Sequence, residues 1–306
     1  FVFSGAQRFV KTIVEAGYQV FRLKSGEFDY SEDARQTNEI IEKYHLEVDF
    51  ILVDHYKLDF RWEELLRPIK MIVIDDLADR KHTADILIDQ NLYPNFNERY
   101  RNFVNKDCKL LLGPRYAILD ERYSLNRNKM EFRSKINSAL VSFGGTDEIN
   151  LTGRLLDFIC SDAELNKISF NIIITESFKY KEEIKSNYNS KNINIFESLD
   201  CLSDIMLKSD ISIGAGGTTT WERFAMGLPS VVVSIADNQE ESSQYLNDLG
   251  LIYYLGPANT LANDWPISIK KAFLFDEFTL YDNSLKISKY VDTLGCQRIV
   301  KEILKL

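Results

Sequence analysis

Apolar residues along this chain gather in short runs, many of them β-branched, separated by stretches with helical spacing. In the first half the runs are Asp49–Asp54, Met71–Ile74, Ile86–Asp89 and Lys109–Leu112. In the second half they are Ser138–Phe143, Asn171–Thr175, Ile193–Phe196, Ile211–Ile213, Ser230–Val233 and Leu251–Tyr254. Runs that are apolar throughout, rather than alternating, predict strands buried on both faces of a parallel sheet. Helices are predicted over Asp33–Tyr44, Arg61–Leu66, Gln239–Leu249 and Asp292–Leu306. Phe1–Ser4 reads as a buried strand that feeds a helix over Gln7–Glu15 and a further strand over Tyr18–Leu23. A doubly wound domain seldom begins in mid-sheet, so a preceding strand and helix are expected to be missing; the alternative is an unusually short natural N-terminus. Asn91–Asn105 is polar and predicts a loop or irregular helix, and the charged segment Tyr123–Lys135 predicts a connection between domains.

The expected fold class is therefore α/β, with two doubly wound parallel-sheet domains facing a cleft. The first covers residues 1–130 and the second 136–290; residues 291–306 form a terminal helix for which a return to the first domain is one option. A length of 306 residues suits two such domains. The net charge of −9 argues against nucleic acid and acidic membranes as partners. No apolar run approaches the roughly 20 residues that span a bilayer. The four cysteines stand far apart and read as reduced thiols of a cytoplasmic protein. The three histidines include no HxxxH pair, so no metal site is expected, and neither is a cofactor or an oligomer.

The most informative stretch is Ile211–Ser234, which reads as a βαβ unit. Its first strand breaks into Gly214, Gly216 and Gly217; a helix follows from Thr218 to Gly227, with Pro229 just beyond. A glycine-rich strand-to-helix turn lets backbone N–H groups approach an anion. Glu222, one helical turn on, would repel a bare phosphate but could accept both hydroxyls of a ribose. The competing reading is an ordinary turn whose glycines only allow close helix–sheet packing. Ser142-Phe-Gly-Gly-Thr-Asp147 is a second glycine loop at a strand end, bringing Ser142, Gly144, Gly145 and Thr146 to the same place; its spacing is not GxGxxG. After the next strand, Asn238 and Gln239 offer neutral donors and acceptors suited to sugar hydroxyls and amides, while Asp237 is a candidate helix cap.

In the first domain, Val53-Asp-His-Tyr56 and Ile74-Asp-Asp76 end predicted strands. Alternation along an extended segment puts Asp54 and Tyr56 on one face and His55 on the other, so Asp54 and Tyr56 are favoured for chemistry. Asp75 and Asp76 read as caps of the following turn or as a carboxylate pair whose separation the sequence does not reveal.

Gly214-Ala-Gly-Gly-Thr-Thr-Thr-Trp-Glu-Arg-Phe-Ala-Met-Gly-Leu-Pro229 and Ala236-Asp-Asn-Gln239, together with the motifs above, resemble the UDP-sugar hydrolases of pseudaminic acid synthesis. Ile74–Arg80, Asp89-Gln-Asn91 and Leu112–Ala117 share the resemblance, which covers nearly the whole chain in order. It implies a small GT-B fold, with a second domain related to the transferase MurG. It also implies UDP held by Ser142, Gly144, Gly145, Thr146, Gly216, Gly217, Thr218, Thr219, Glu222, Asn238 and Gln239, with Glu222 on the ribose. The implied reaction is hydrolysis of a UDP-linked 2,4-diacetamido-2,4,6-trideoxy sugar to UDP and free sugar, in the pathway that supplies flagellin glycosylation. Tyr56 and Asp54 would orient water or sugar. The family's Gly-His-x-x-Arg helix start has no counterpart here, and none of His45, His55 and His82 matches its histidine. Runner-up readings are a MurG-type transferase and a catalytically impaired nucleotide-sugar binding module.

Overall fold

The computed structural model describes residues 1–3, 10–24, 27–188 and 191–306. They form two compact units: Phe1–Asp89 with Asn97–Leu111 and Glu302–Leu306, and Gln90–Phe96 with Leu112–Lys301.

In the first unit the strands are β1 (Val2–Phe3), β2 (Phe21–Arg22), β3 (Phe50–Asp54), β4 (Lys70–Ile74), β5 (Ile86–Asp89) and β6 (Lys109–Leu112). The helices are α1 (Val10–Glu15), α2 (Tyr30–Lys43) and α3 (Phe60–Leu65). β3-β4-β5-β6 form one sheet, while β1 and β2 pair in a separate two-stranded one. The parallel register sets Asp54 opposite Ile74, so the polar residues after β3 and β4 emerge at the same edge. Val53, Met71, Val73 and Ala84 pack against Trp62, Leu66 and Ala34 to form the core. Phe1 and Val2 are exposed, not part of the buried strand expected for Phe1–Ser4. Phe1 is 61% and Tyr18 60% exposed, and α1 buries no residue, so this corner has little apolar contact to extend its strands. Ser4 and the first part of the Gln7–Glu15 helix lie outside the described residues.

The second unit is a six-stranded sheet in the order β12-β11-β10-β7-β8-β9, its neighbours parallel throughout. Its strands are β7 (Ser138–Ser142), β8 (Ser169–Ile174), β9 (Ile193–Glu197), β10 (Ile211–Ala215), β11 (Ser230–Ser234) and β12 (Tyr253–Pro257). Its helices are α4 (Glu121–Arg127), α5 (Leu151–Ser161), α6 (Lys181–Asn187), α7 (Ser203–Leu207), α8 (Thr219–Ala225), α9 (Glu240–Asp248), α10 (Trp265–Ala272), α11 (Glu277–Ser288) and most of α12 (Gly295–Ile303), whose last two residues are counted with the first unit. Alternate residues feed two cores: Ala139, Val141, Ile213 and Val231 join Leu155 and Ile269, while Leu140 and Val232 join Trp221, Phe224 and Leu246. Burial on both faces explains why the inner strands β7, β8, β10 and β11 read as largely apolar runs; the edge strands β9 and β12 are less buried.

Tyr123–Lys135, expected to connect the domains, falls within the second unit. Tyr123 sits in α4 and is 1% exposed, and Arg133 donates to the carbonyls of Met206 (2.9 Å), Glu131 (3.0 Å) and Ser209 (3.3 Å), all within the second unit. These carbonyls satisfy the Arg133 charge inside the fold, while Lys129, Glu131 and Lys135 of the same segment are exposed. Burial holds the Arg133 guanidinium down at about 10.

Candidate functional site

The chain builds β7, β8 and β9 outward in one direction, then returns to build β10, β11 and β12 in the other. The strand order therefore reverses between β7 and β10, and ligands of open parallel sheets bind at the carboxyl ends of the strands at such a point. Both glycine loops lie there, with Gly214 directly opposite Ser142.

Close approach of β10 to β7 demands glycine at 214. A methyl group there would overlap the Ser142 carbonyl oxygen and lie 3.3 Å from Arg223 Nη1. Gly217 has φ +85°, in the left-handed region that glycine adopts without strain. Gln239, from the turn before α9, lies over these glycines: a Cβ on Gly216 would be 3.2 Å from its Oε1, and one on Gly217 3.3 Å from its Nε2. Gln239 Oε1 also accepts from the Ile235 N–H (3.0 Å), a bond within the segment that follows β11. Asn238 is half-buried in the same short turn, Asp237–Gln239. Asp237 makes no capping bond there, contrary to the expectation for it; that turn is 3-10 and leads directly into α9.

Thr218 is exposed, and its hydroxyl accepts from Gln90 Nε2 (3.4 Å), while Gln90 Oε1 accepts from the Ile118 N–H (2.9 Å). Thr219 is half-buried, and Thr220 is buried. Ser142 is half-buried, whereas Gly144, Gly145 and Thr146 are exposed. Gly144 has φ +86°, and the Gly145 carbonyl accepts from the hydroxyls of Ser177 (2.9 Å) and Thr175. Asp147 caps α5, its carboxylate accepting from the N–H groups of Leu151 and Thr152 (2.8 Å each). A cavity of about 280 Å³ lies beside this loop, lined by Thr146, Asp147, Ser234, Asp237, Glu240 and Asn259 among others.

Glu222 lies on α8, half-buried beside buried Tyr123. Burial pushes its carboxyl above the usual range, opposed by the Tyr123 hydroxyl and the Arg223 charge. The same burial, with Glu222 nearby, raises the Tyr123 phenol. Arg223 is fully buried and donates through Nη2 to the Ala215 carbonyl and the Thr220 hydroxyl (2.9 Å each). Desolvation lowers it to about 10.

In the first unit, Asp54, His55 and Tyr56 line a cavity of about 1080 Å³ with Phe28, Asp33 and Lys57. His55 is therefore not turned away from Asp54 and Tyr56 as strand alternation predicts. β3 ends at Asp54, and a turn over Tyr56 and Lys57 follows His55, so the two-residue period no longer holds. The His55 ring stacks on Phe28 at 5.5 Å, and its Nδ1 accepts from the Lys57 N–H (3.2 Å). Burial lowers the His55 imidazole, opposed mainly by Asp33. Burial raises the Asp54 carboxyl, opposed by His55. Tyr56 is 62% exposed. Asp75 does cap its turn, accepting from the Ala78 N–H (2.9 Å), and it also pairs with Arg80 (2.7 Å) and receives the Tyr100 hydroxyl (3.0 Å). Arg80 in turn donates to the His55 carbonyl (3.2 Å), so Asp75 supports the His55 segment from below.

Gln90, Tyr123, Arg223 and Arg80 escaped the sequence reading of roles. Gln90, Arg223 and Arg80 stood inside motifs already singled out, but their partners come from distant segments. Among the described residues no cluster of three or more His, Cys, Asp and Glu side chains is placed to hold a metal, and no helix is long and apolar enough to cross a membrane.

Known proteins resemble this arrangement. A family model described as "Protein of unknown function (DUF354)" matches residues 154–263. An uncharacterized protein of Methanocaldococcus jannaschii is 25% identical over 303 residues, which is 92% of this chain and 59% of the relative. The pseudaminic acid cytidylyltransferase and UDP-2,4-diacetamido-2,4,6-trideoxy-β-L-altropyranose hydrolase of Helicobacter pylori is 24% identical, over 71% of this chain and 40% of its own length. The chain spans about half the length of the curated relatives it matches. Among solved structures, Acinetobacter baumannii MurG superposes with a TM-score of 0.66 at 13% identity, covering 98% of this chain and 88% of that one. The UDP-GlcNAc 2-epimerase of Neisseria meningitidis, bound to UDP-GlcNAc, gives 0.59 at 13% identity over 100% and 91%. The fold is GT-B-like. Two parallel-sheet α/β units form it, as the spacing of strands and helices predicts.

Proposed function

We propose that the second unit binds the UDP moiety of a nucleotide sugar and that the protein hydrolyses a UDP-linked 2,4-diacetamido-2,4,6-trideoxy sugar. The observation that carries the nucleotide reading is the juxtaposition of two glycine loops at the β7/β10 switch point, with Glu222 one helical turn further on. α8 has only 7 residues, so the reading leans on the backbone N–H groups of the loops rather than on a helix dipole. The exposed loop Gly144-Gly145-Thr146 and the turn Gly216-Gly217-Thr218-Thr219 would surround the diphosphate, Glu222 would accept the ribose hydroxyls, and Asn238 and Gln239 would meet polar groups of the sugar or diphosphate. The named activity of the Helicobacter pylori relative supports the sugar class.

The chemistry asks little of the protein beyond placement. UDP is a good leaving group near neutral pH, so cleavage at the anomeric carbon needs an oriented water, an acceptor for its proton and donors around the departing diphosphate. Asp54 and Tyr56 are proposed for the water and the sugar. The raised Asp54 carboxyl would be a stronger base than an ordinary aspartate once ionised.

A UDP-sugar transferase of MurG type is the second reading, and the likeness to MurG over nearly the whole chain favours it. The deciding experiment measures UDP release from the diacetamido sugar nucleotide in heavy-oxygen water without an acceptor. Release with the label in the free sugar supports hydrolysis. Release that requires an added acceptor rejects it in favour of transfer, and tight binding without turnover rejects both in favour of a binding module.

A further inference from the structure

Arg223 is an unusual residue to find where it lies. Its side chain is fully buried, yet among the described residues only Nη2 finds hydrogen-bond acceptors, and Nε is buried with no partner there. Burying an ion whose donors are incompletely matched is costly, and an apolar residue of similar volume often serves stability better. Those two bonds, however, span the glycine turn. One reaches the carbonyl of Ala215 at its entrance and the other the hydroxyl of Thr220 at its exit, with Gly216, Gly217, Thr218 and Thr219 between them. Gly214 leaves the space in which Nη1 lies. A turn rich in glycine has no side chains of its own to hold its shape.

We propose that Arg223 is a positioning residue for the ligand at this turn: it fixes the span between Ala215 and Thr220, and it supplies the positive charge beside Glu222. The proposal rests on the nucleotide-sugar reading of the site and extends it to pH regulation of binding. The groups that bear on Glu222 are Asp120 and Tyr123, from the start of α4 and from its interior, and Arg223 on its own helix. Burial and Asp120 favour the neutral acid; Tyr123 and Arg223 favour the carboxylate. Of these, Arg223 is the one cation, so without it Glu222 takes up its proton at a higher pH. A protonated Glu222 no longer offers the ribose two charged acceptor oxygens.

The test is UDP affinity by calorimetry between pH 5 and 8.5 for the unaltered chain, Arg223→Met and Arg223→Lys. The unaltered chain should bind UDP, with affinity falling on the acid side. Arg223→Met should bind about 10-fold more weakly or worse at pH 7, with the acid midpoint moved up by about 1 to 3 pH units. Arg223→Lys should keep the midpoint near that of the unaltered chain while losing affinity, because an ammonium lacks the fork that joins both ends of the turn. A purely structural arginine would leave the midpoint in place in both variants, and that result overturns the proposal. No UDP binding by the unaltered chain overturns the nucleotide reading itself, and the proposal with it. Should Arg223→Met fail to fold, Thr220→Val decides. It removes one anchor without changing shape, and a several-fold loss of UDP affinity with unchanged circular dichroism supports the proposal, whereas unchanged affinity overturns it.

Discussion

Burial raises the Glu222 carboxyl, yet the site reading needs it ionised to accept ribose hydroxyls; its neighbours Tyr123 and Arg223 provide the opposing pull. Replacing Glu222 with alanine should weaken UDP binding by about 1 to 3 kcal/mol, the worth of charge-assisted hydrogen bonds that water only partly replaces. Calorimetry on the variant checks this, and an unchanged affinity removes Glu222 from the site. His55 gives a prediction of a different kind. Its imidazole is held below the ordinary 6.5, chiefly by burial, so the folded state prefers the neutral ring. The stability this contributes is complete above 6.5 and is lost as pH falls through the folded-state value. Urea denaturation from pH 7.5 to 5 should therefore show a decline that His55→Gln makes shallower; equal slopes would sink the idea. The place of Glu222 one turn after the glycines was legible in the sequence because that distance is local. Arg223 was not, since a charged residue in a helix reads as solvent-facing until the fold places Ala215 and Thr220 around it. Gln90, whose side chain reaches Thr218 and Ile118, depends on contacts no local pattern records.

At the level of elements, strands were the easiest to read. β5 (Ile86–Asp89) and β6 (Lys109–Leu112) fall where the apolar runs predict them; in β5 burial on both faces imposes an uninterrupted apolar code, whereas in the edge strand β6 only Leu111 is buried. Strand ends were harder: β10 continues to Ala215, through the first glycine of the turn, since Gly214 pairs with Val232 as well as Ser142. β1 and β2 are two residues each, and no amount of hydrophobicity in Phe1–Ser4 could reveal that the packing to extend them is scarce. The glycines of the two loops now separate into two kinds. Gly214→Ala would force a methyl into the backbone of β7, which should destabilise the protein by roughly 1 to 3 kcal/mol or prevent folding. Gly145→Ala meets nothing within 4 Å, so stability should hold within about 0.5 kcal/mol. If the backbone of that loop approaches the diphosphate, Gly145→Ala should nevertheless lose UDP affinity. Denaturation midpoints and UDP titrations on the two variants check both halves; a destabilised Gly145→Ala would contradict the open space around that position.

For the whole molecule, two units with separate cores make different predictions for the same ligand. A ligand that binds only the folded state stabilises it by an amount set by its concentration relative to Kd, about 2.7 kcal/mol at a hundredfold excess. On the nucleotide reading, UDP engages the loops after β7 and β10, so this increment belongs to openings that expose the second unit. Hydrogen exchange with saturating UDP should slow at the amides of β7, β10 and α8. Amides of β1, β2 and α1, where strands are two residues long and the helix buries nothing, should exchange rapidly with or without UDP. Local openings near the loops gain the full increment, while the buried centre of the sheet gains it only where exchange proceeds through unfolding of the second unit. A uniform gain across both units would mean that they open together as one cooperative body, and no gain around Gly214–Thr220 would remove UDP from the turn on which the functional reading depends.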